Sequence, residues 1–146
     1  MSFYTGVGSR KTPQEILQQM TAIAFDLALK GYALRSGGAV GADKAFEKGA
    51  NLKEIYYAKD ATKEAEEIAA YFHPVWDRLS LFAKKLHARN AFQVLGRDLK
   101  TPSDFLICWT PDGATTHKER SRATGGTGTA ISIADYFGVK VYNLKR

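Results

Sequence analysis

The feature that most constrains the fold is a regular alternation of strand-like and helix-like segments along the chain. Short runs rich in β-branched and aromatic residues, such as YALRS, DFLICWT and VKVYNL, are typical of buried strands. The longer segments between them place apolar residues at helical spacing. Parallel neighbours in a sheet need long crossover connections, whereas antiparallel neighbours need only tight turns. The alternation therefore predicts an α/β fold with a mostly parallel sheet covered by helices on both faces.

The predicted elements are five strands and five helices. Residues 12–31 contain the clearest helix, with Thr12 as N-cap, Pro13 at the first helical position and Gly31 at the end. The other predicted helices cover residues 42–50, 62–72, 74–96 and 128–138, and the strands cover residues 3–7, 32–36, 52–58, 104–110 and 139–144. Right-handed crossovers leave few arrangements for such a chain. We predict a single Rossmann-like, three-layer α/β/α domain over residues 1–146, with the five strands in the order 3-2-1-4-5.

Composition limits the classes of protein to which the chain can belong. Its 146 residues suit one domain, and 45% hydrophobic and 25% charged residues are ordinary for a globular protein. We find no N-terminal apolar segment and no apolar run that could cross a membrane, so we predict a cytoplasmic protein without membrane contact. The net charge of +6 indicates an anionic partner or simply good solubility. The single cysteine, Cys108, excludes an intrachain disulfide. We predict neither a metal nor a cofactor.

Three glycine-rich loops follow predicted strands 1, 2 and 4, namely GVGSR, SGGAVGAD and TGGTGT. Ligands of open α/β sheets bind at the carboxyl ends of strands where the strand order reverses, which here lies between strands 1 and 4. Glycines let a ligand approach the main chain, and the first amides of a helix favour an anion. The alternative is a purely structural role, in which these loops are tight turns between strand and helix. Three loops at one edge favour a phosphate or nucleotide site.

The predicted ligand-binding residues come from these loops and from the helix before strand 4. Arg89 is a candidate phosphate ligand, because a guanidinium can hold two oxygens at once. Asp43 is either a cap at the start of a helix or a carboxylate aimed at the ligand. His87 suits acid–base chemistry, although a lone histidine on a helix is more often structural. The full predicted set is Gly8, Ser9, Arg10, Ser36, Gly37, Gly38, Asp43, Arg89, Asn90, Gly125, Gly126, Thr127, Gly128 and Thr129.

The long connection PDGATTHKERSRAT, between predicted strand 4 and its helix, exceeds what an α/β unit needs and is a candidate lid or binding loop. Its basic residues Lys118, Arg120 and Arg122 raise the local positive potential, or they form an ordinary solvated surface.

Two of these motifs resemble those of known families. SGGAVGAD resembles the glycine-rich motif of the DNA-processing protein A family, and LHARNAF followed by GGTGT resembles the lonely-guy family of phosphoribohydrolases. Both belong to the Rossmann-like SLOG superfamily, which includes nucleotide-sensing domains of bacterial immunity. The resemblance spans nearly the whole chain, which looks most like the single-domain DNA-processing protein A-like proteins of bacteriophages. It implies a nucleotide-derived ligand and a homo-oligomer.

One departure from the lonely-guy pattern bears on catalysis. Arg89 falls on the arginine of that motif, Asn90 replaces its lysine, and residues 125–129 match its glycines and threonine, with Thr124 in place of proline. Ser132 occupies the position of the catalytic glutamate. Serine cannot supply the carboxylate that steadies a sugar cation or moves a proton at neutral pH. The resemblance therefore implies binding more than hydrolysis.

Three functions follow from these observations. The first is capture of a nucleotide or nucleotide-derived signal, and the phage resemblance implies sequestration of an immune signal. The second is an N-glycosidase of nucleoside monophosphates, with Asp43, Glu119 or Asp135 replacing the missing glutamate; Asp43 is the best placed because it follows a phosphate-type loop. The third is binding of single-stranded DNA, which the net charge favours, although the aromatic residues fall mostly in buried-looking strands. We prefer the first.

Overall fold

The computed structural model describes residues 2–146 and contains, within them, five strands and five α-helices. The strands are β1 (Ser2–Gly6), β2 (Tyr32–Ser36), β3 (Lys53–Ile55), β4 (Phe105–Cys108) and β5 (Lys140–Asn143). The α-helices are α1 (Gln14–Leu29), α2 (Ala42–Gly49), α3 (Lys63–Phe72), α4 (Leu81–Leu95) and α5 (Thr127–Tyr136). Three single turns of 3₁₀ helix lie at Ala58–Asp60, Trp76–Arg78 and Arg122–Thr124.

All five strands form one parallel sheet in the order β3-β2-β1-β4-β5. The predicted Rossmann-like architecture and strand order are confirmed. In this order β1 is central and pairs with β2 on one side and with β4 on the other. The carboxyl ends of β1 and β4 therefore lie side by side at the point where the order reverses, which is where ligands of such sheets bind.

The helices cover the sheet on both faces, because successive strand residues point to opposite sides. Leu106 and Cys108 of β4 pack in a core formed with α3, α4 and α5. Ile107, between them, packs on the opposite face with Met20 of α1 and Phe46 of α2. Buried side chains of the neighbouring strands complete the two cores: Val141 on the first face, and Tyr4 and Leu34 on the second.

Three sequence predictions about the elements were wrong in detail. The first helix begins after Pro13, and the hydroxyl of Thr12 donates to the carbonyl of Ser9 instead of capping the helix. The helix predicted over residues 74–96 begins only at Leu81, where the Ser80 hydroxyl accepts from the amide of Ala83. The third strand is only three residues long, Lys53–Ile55, although its two flanking residues also hydrogen-bond to β2 through the main chain.

Arg35, in β2, is a buried cation that joins the first two strands to the connection between α4 and β4. Only 2% of it is exposed. Its Nη1 donates to the Thr101 carbonyl at 2.6 Å and to the Ser103 hydroxyl at 3.1 Å, and its guanidinium lies 4.1 Å from the centre of the Phe3 ring. Gly96 follows α4 with φ = 81°, and a β-carbon there would lie 2.8 Å from Arg35 Nη2. The guanidinium thus fixes the end of α4, which carries several predicted site residues.

Residues 2–146 contain neither a membrane-spanning helix nor a cluster of metal-binding side chains. None of the helices in this part of the chain has the length and apolar character needed to cross a membrane. Histidine, cysteine and acidic side chains nowhere gather there in a group of three that could hold a metal ion.

Candidate functional site

A cleft of about 410 Å³ lies at the carboxyl ends of β1 and β4. Four segments contribute to it: the loop after β1, the loop between β2 and α2, the second half of α4, and the start of α5. The lining residues are Val7, Gly8, Ser9, Arg10, Lys11, Ala39, Val40, Asp43, Leu86, His87, Arg89, Asn90, Gln93, Thr124, Gly125, Gly126 and Thr127. All three glycine-rich loops contribute at least one residue to the cleft, as the sequence predicted for the edge of the sheet.

The loop after β1 runs alongside β4 before it turns away. The amides of Val7 and Ser9 donate to the carbonyls of Ile107 and Trp109, which extends the pairing of the two strands beyond their ends. The hydroxyl of Ser9 accepts from the amide of Lys11 at 3.0 Å. A β-carbon on Gly8 would lie 2.6 Å from that of Ala42, so the loop packs directly against the start of α2. Arg10, which is exposed, extends from this anchored loop to the rim of the cleft.

The start of α5 presents the main-chain donors that a phosphate needs. Gly125 has φ = 65°, a left-handed conformation that favours glycine. The amides of Gly126 and Thr127 donate to no other group within residues 2–146. These amides sit at the positive end of the helix dipole. Asn90 Nδ2 donates to the carbonyl of Gly126 at 3.3 Å, which holds this turn against α4.

Gly128 and Thr129 lie behind the cleft wall. Thr129 is fully buried, and its Oγ1 is 2.9 Å from His87 Nδ1. A β-carbon on Gly128 would lie 2.5 Å from Nε of Arg120, so this glycine makes room for the guanidinium. The two residues support the loop from inside the protein, and direct contact between either of them and a ligand stays a prediction.

Asp43, in the first turn of α2, is a buried carboxylate that lines the cleft. Its Oδ2 accepts from the amide of Ala39 at 3.1 Å. Burial raises its pKa to about 6, against the opposing effect of that hydrogen bond and of the positive charge of Arg89. A carboxyl group with such a pKa is present in both protonation states near neutral pH, as acid–base chemistry requires.

Ser36, Gly37 and Gly38 lie beside the cleft and do not line it. The Ser36 hydroxyl donates to Glu47 Oε2 at 2.6 Å and accepts from the amide of Gly38 at 3.3 Å, which locks the loop onto α2. A β-carbon on Gly37 would lie 2.7 Å from Nε of Arg89. The glycine is therefore needed for the close approach of the arginine, and a contact between these three residues and a ligand stays a prediction.

Arg89 and Gln93 stand one turn apart on α4 and form one side of the cleft. Arg89 Nη1 donates to the carbonyl of Gly37 at 3.0 Å, which aligns the guanidinium. Burial lowers the pKa of Arg89, the nearby carboxylate of Asp43 opposes that change, and the positive charge of Arg10 adds to it. The Gln93 side chain is fully buried, and neither atom of its amide group has a partner in the described part of the chain, nor has Arg89 Nε. Gln93 was missing from the predicted set, although its position one turn after Arg89 places it on the same helix face.

His87, which also lines the cleft from α4, is neutral at neutral pH. Burial lowers its pKa to about 4, and the positive charges of Arg120 and Arg89 and the neighbouring His73 add to the effect. The contact of His87 with Thr129 Oγ1 joins α4 to α5.

Ser132, at the position of the missing glutamate, is fully buried outside the cleft lining. Its Oγ is 2.6 Å from Nδ1 of His117 and 2.8 Å from Nη1 of Arg120. Both partners come from the long connection between β4 and α5, so this connection packs on α5 where the glutamate of the lonely-guy motif falls. It is held further by Asp112, which accepts from the hydroxyls of Ser121 and Thr124.

Neither the protein-family models nor the curated proteins nor the solved structures gave a match to this chain. The chemistry of the cleft therefore follows from its own residues. Three features define it: two main-chain amides without acceptors, the cations of Arg10, Lys11 and Arg89, and one buried carboxylate.

The buried carboxylate predicts a dependence of stability on pH. The pKa of Asp43 lies near 3.8 in an unfolded chain and at about 6 in the fold, so folding is not penalised below the lower value. As the pH rises through this window, ionisation favours the unfolded state. One pKa unit corresponds to about 1.4 kcal/mol, so the full cost above the folded pKa is about 3 kcal/mol. Asp43→Asn removes this cost.

Urea unfolding of both proteins at about pH 4 and about pH 7 measures the effect. We expect the variant to gain stability relative to the parent protein as the pH rises between these values, by about 2 kcal/mol, because part of the cost is already present at about pH 4. A difference in unfolding free energy that does not change with pH would show that Asp43 has an ordinary pKa. Glu47→Gln serves as a comparison for a second acidic residue of the same helix.

Proposed function

We propose that the cleft binds a nucleotide or a nucleotide-derived small molecule through its phosphate. The observation that carries this proposal is the pair of amides at Gly126 and Thr127, which lie at the first turn of α5 and have no acceptor within residues 2–146. Gly126 is exposed, so a ligand can reach this turn from the cleft, and the first amides of a helix have no intrahelical acceptor. An anion placed there also gains from the helix dipole.

The charges around these amides support the same ligand. Arg10, Lys11 and Arg89 line the cleft, and Asp43 is the one acidic side chain among the lining residues. When Asp43 is protonated, the lining carries positive charge only. The carboxamide of Gln93 lies buried beneath the cleft, and its two polar atoms have no partner in the described residues.

Arg89→Lys tests the phosphate contact. The change keeps the positive charge and removes the forked guanidinium, which can hold two phosphate oxygens and also donates to the Gly37 carbonyl. We expect the affinity for nucleoside monophosphates, measured by calorimetry, to fall about tenfold in Arg89→Lys. The loss should be larger in Arg89→Ala.

Arg97→Lys is the matched control, because this arginine stacks on Tyr56 away from the cleft. Parent-like affinity in Arg89→Ala would show that Arg89 is only structural. In that case the phosphate would have to be held by the amides of α5 and by Arg10.

The second candidate function is hydrolysis of an N-glycosidic bond, and the specific observation that favours it is Asp43. It is buried in the cleft, and its pKa of about 6 suits a proton donor or acceptor near neutral pH. The reaction also needs a carboxylate to stabilise the cationic sugar of the transition state. Ser132 cannot act in that way, and its hydroxyl is held between His117 and Arg120.

We therefore expect capture without turnover. The protein is incubated with AMP, dAMP, GMP, dCMP and cyclic nucleotides, and the products are resolved by chromatography after heat denaturation. All of the added nucleotide should be recovered intact. Many molecules of free base for each molecule of protein would instead identify an enzyme, and loss of that activity in Asp43→Asn would assign the catalytic carboxylate.

A further inference from the structure

A second cavity, of about 720 Å³, adjoins the cleft and shares His87, Gly125 and Gly126 with it. Its other walls are the end of α3, with His73, and the long connection before α5, with Arg120. The function proposed above makes no use of this space. A ligand held at the amides of α5 has direct access to it, because the same two glycines line both cavities.

The charge of the second cavity selects an anion. Its lining contains Arg120 and Arg122 and, within the described residues, no aspartate or glutamate. Arg120 is fixed in advance: its Nη1 donates to the Phe72 carbonyl at 2.9 Å and to the Ser132 hydroxyl at 2.8 Å. Its Nε and Nη2 lie against Gly128 and make no hydrogen bond to residues 2–146. A guanidinium that is already aligned loses little conformational entropy when it binds a phosphate.

The same cavity has surfaces for a base. Tyr71 and Phe72 form an edge-to-face pair with ring centres 4.9 Å apart, and both line the cavity, where Tyr71 is 76% exposed. Exposed aromatic rings of this kind stack on bases of any sequence. The rings of His73 and His87 lie 4.6 Å apart between this wall and the cleft. His73 Nδ1 accepts from the amide of Val75 at 3.2 Å, and His87 Nδ1 lies 2.9 Å from Thr129 Oγ1, so Nε2 is the ring nitrogen that each histidine has left for a ligand.

We propose that the ligand is a dinucleotide, two nucleoside units joined through phosphate, with one unit in the cleft and the other in the cavity formed by Tyr71, His73, Arg120 and Arg122. This inference rests on the proposed function, because it places the first phosphate at the amides of Gly126 and Thr127. The second phosphate then lies within reach of Arg120 and Arg122, and the second base stacks on Tyr71. The cavity thereby determines which class of nucleotide binds.

The test compares each nucleoside monophosphate with its own linear dinucleotide: AMP with pApA, GMP with pGpG, CMP with pCpC and UMP with pUpU. Calorimetry gives the ratio of the two affinities for each pair. We expect the dinucleotide to bind at least about tenfold more tightly for at least one base. For that pair, Arg122→Ala and Tyr71→Ala should each reduce the ratio. Lys118→Ala is the control and should leave it unchanged, because Lys118 is an exposed cation of the same connection that lines neither cavity.

The outcomes separate the two proposals. Binding of a monophosphate with a ratio near one for all four pairs overturns the dinucleotide and leaves the proposed function intact. Absence of binding by every nucleotide overturns both. A ratio that Arg122→Ala and Tyr71→Ala do not change shows that the second unit lies elsewhere and overturns the assignment of the cavity. Affinity that continues to rise with each nucleotide added beyond two, with a steep dependence on salt, identifies single-stranded nucleic acid as the ligand instead.

Discussion

Replacing Thr127 by aspartate is expected to reduce nucleotide binding by more than about 100-fold, because like charges brought together at an interface cost several kcal/mol. Thr127 is the first residue of α5 and lines the cleft beside the amides that we assign to the phosphate. A carboxylate at this position occupies the positive end of the helix and repels a phosphate there. Calorimetric titration with the nucleotide that binds the parent protein measures the loss.

Thr127→Asn is the matched control, because asparagine has the shape of aspartate without its charge. It should bind within a few fold of the parent protein. The helix dipole favours an acidic residue in the first turn, but Thr127 is only 8% exposed, so burial of the carboxylate opposes that gain. Urea unfolding of both variants therefore comes first, and affinity is measured under conditions in which Thr127→Asp is folded. Unchanged affinity in Thr127→Asp would remove the start of α5 from the binding site.

The largest expected effect on stability comes from Arg35→Met. The guanidinium is buried and donates to the Thr101 carbonyl and the Ser103 hydroxyl. Methionine fills a similar volume but leaves these buried groups without their donor, and each unsatisfied group costs about 1–3 kcal/mol. We expect the free energy of unfolding, measured in urea at neutral pH, to fall by about 3 kcal/mol or more.

Arg97→Met provides the comparison. Its guanidinium lies 4.9 Å from the centre of the Tyr56 ring, and the side chain is exposed. Losing an exposed cation–π contact costs about 1 kcal/mol or less. If the two variants are equally stable, the hydrogen bonds of Arg35 contribute no more than a surface contact. A larger loss of unfolding free energy in Arg35→Met than in Arg97→Met would therefore show that the buried arginine stabilises the fold through its hydrogen bonds.

The topology was predictable from the sequence, because alternating patterns and right-handed crossovers restrict a five-stranded parallel sheet to few arrangements. The boundaries were less predictable. Val75, Trp76 and Leu79 continue the apolar spacing of α4, but the chain makes only a 3₁₀ turn there and the helix begins at the Ser80 cap. The strand predicted over residues 52–58 has apolar residues along its length, yet its last hydrogen bond to β2 is that of Tyr56 to Ser36, where β2 ends, and a 3₁₀ turn begins at Ala58.

The position of the cleft was predicted by the same argument, and the surroundings of its residues were not. In the sequence, a glycine that follows a strand looks the same whether it faces a ligand or packs against another part of the protein. Gly126 lines the cleft, whereas Gly128 makes room for Arg120, and nothing local to TGGTGT distinguishes them. The difference depends on where the long connection packs. The partners of Thr129 and Ser132, likewise, lie on segments distant in sequence.

The pairing of β1 with β4 has a consequence for the order in which the protein forms during synthesis. Tyr4 of β1 pairs with Phe105 of β4, and the cleft joins the loop after β1 to residues 124–127. The first three strands and two helices can associate locally as they leave the ribosome, whereas long-range pairings form late. The cleft is thus completed only when almost all of the chain is available. A ligand that binds there acts on the finished protein, slowing its unfolding and leaving the early steps of folding unchanged.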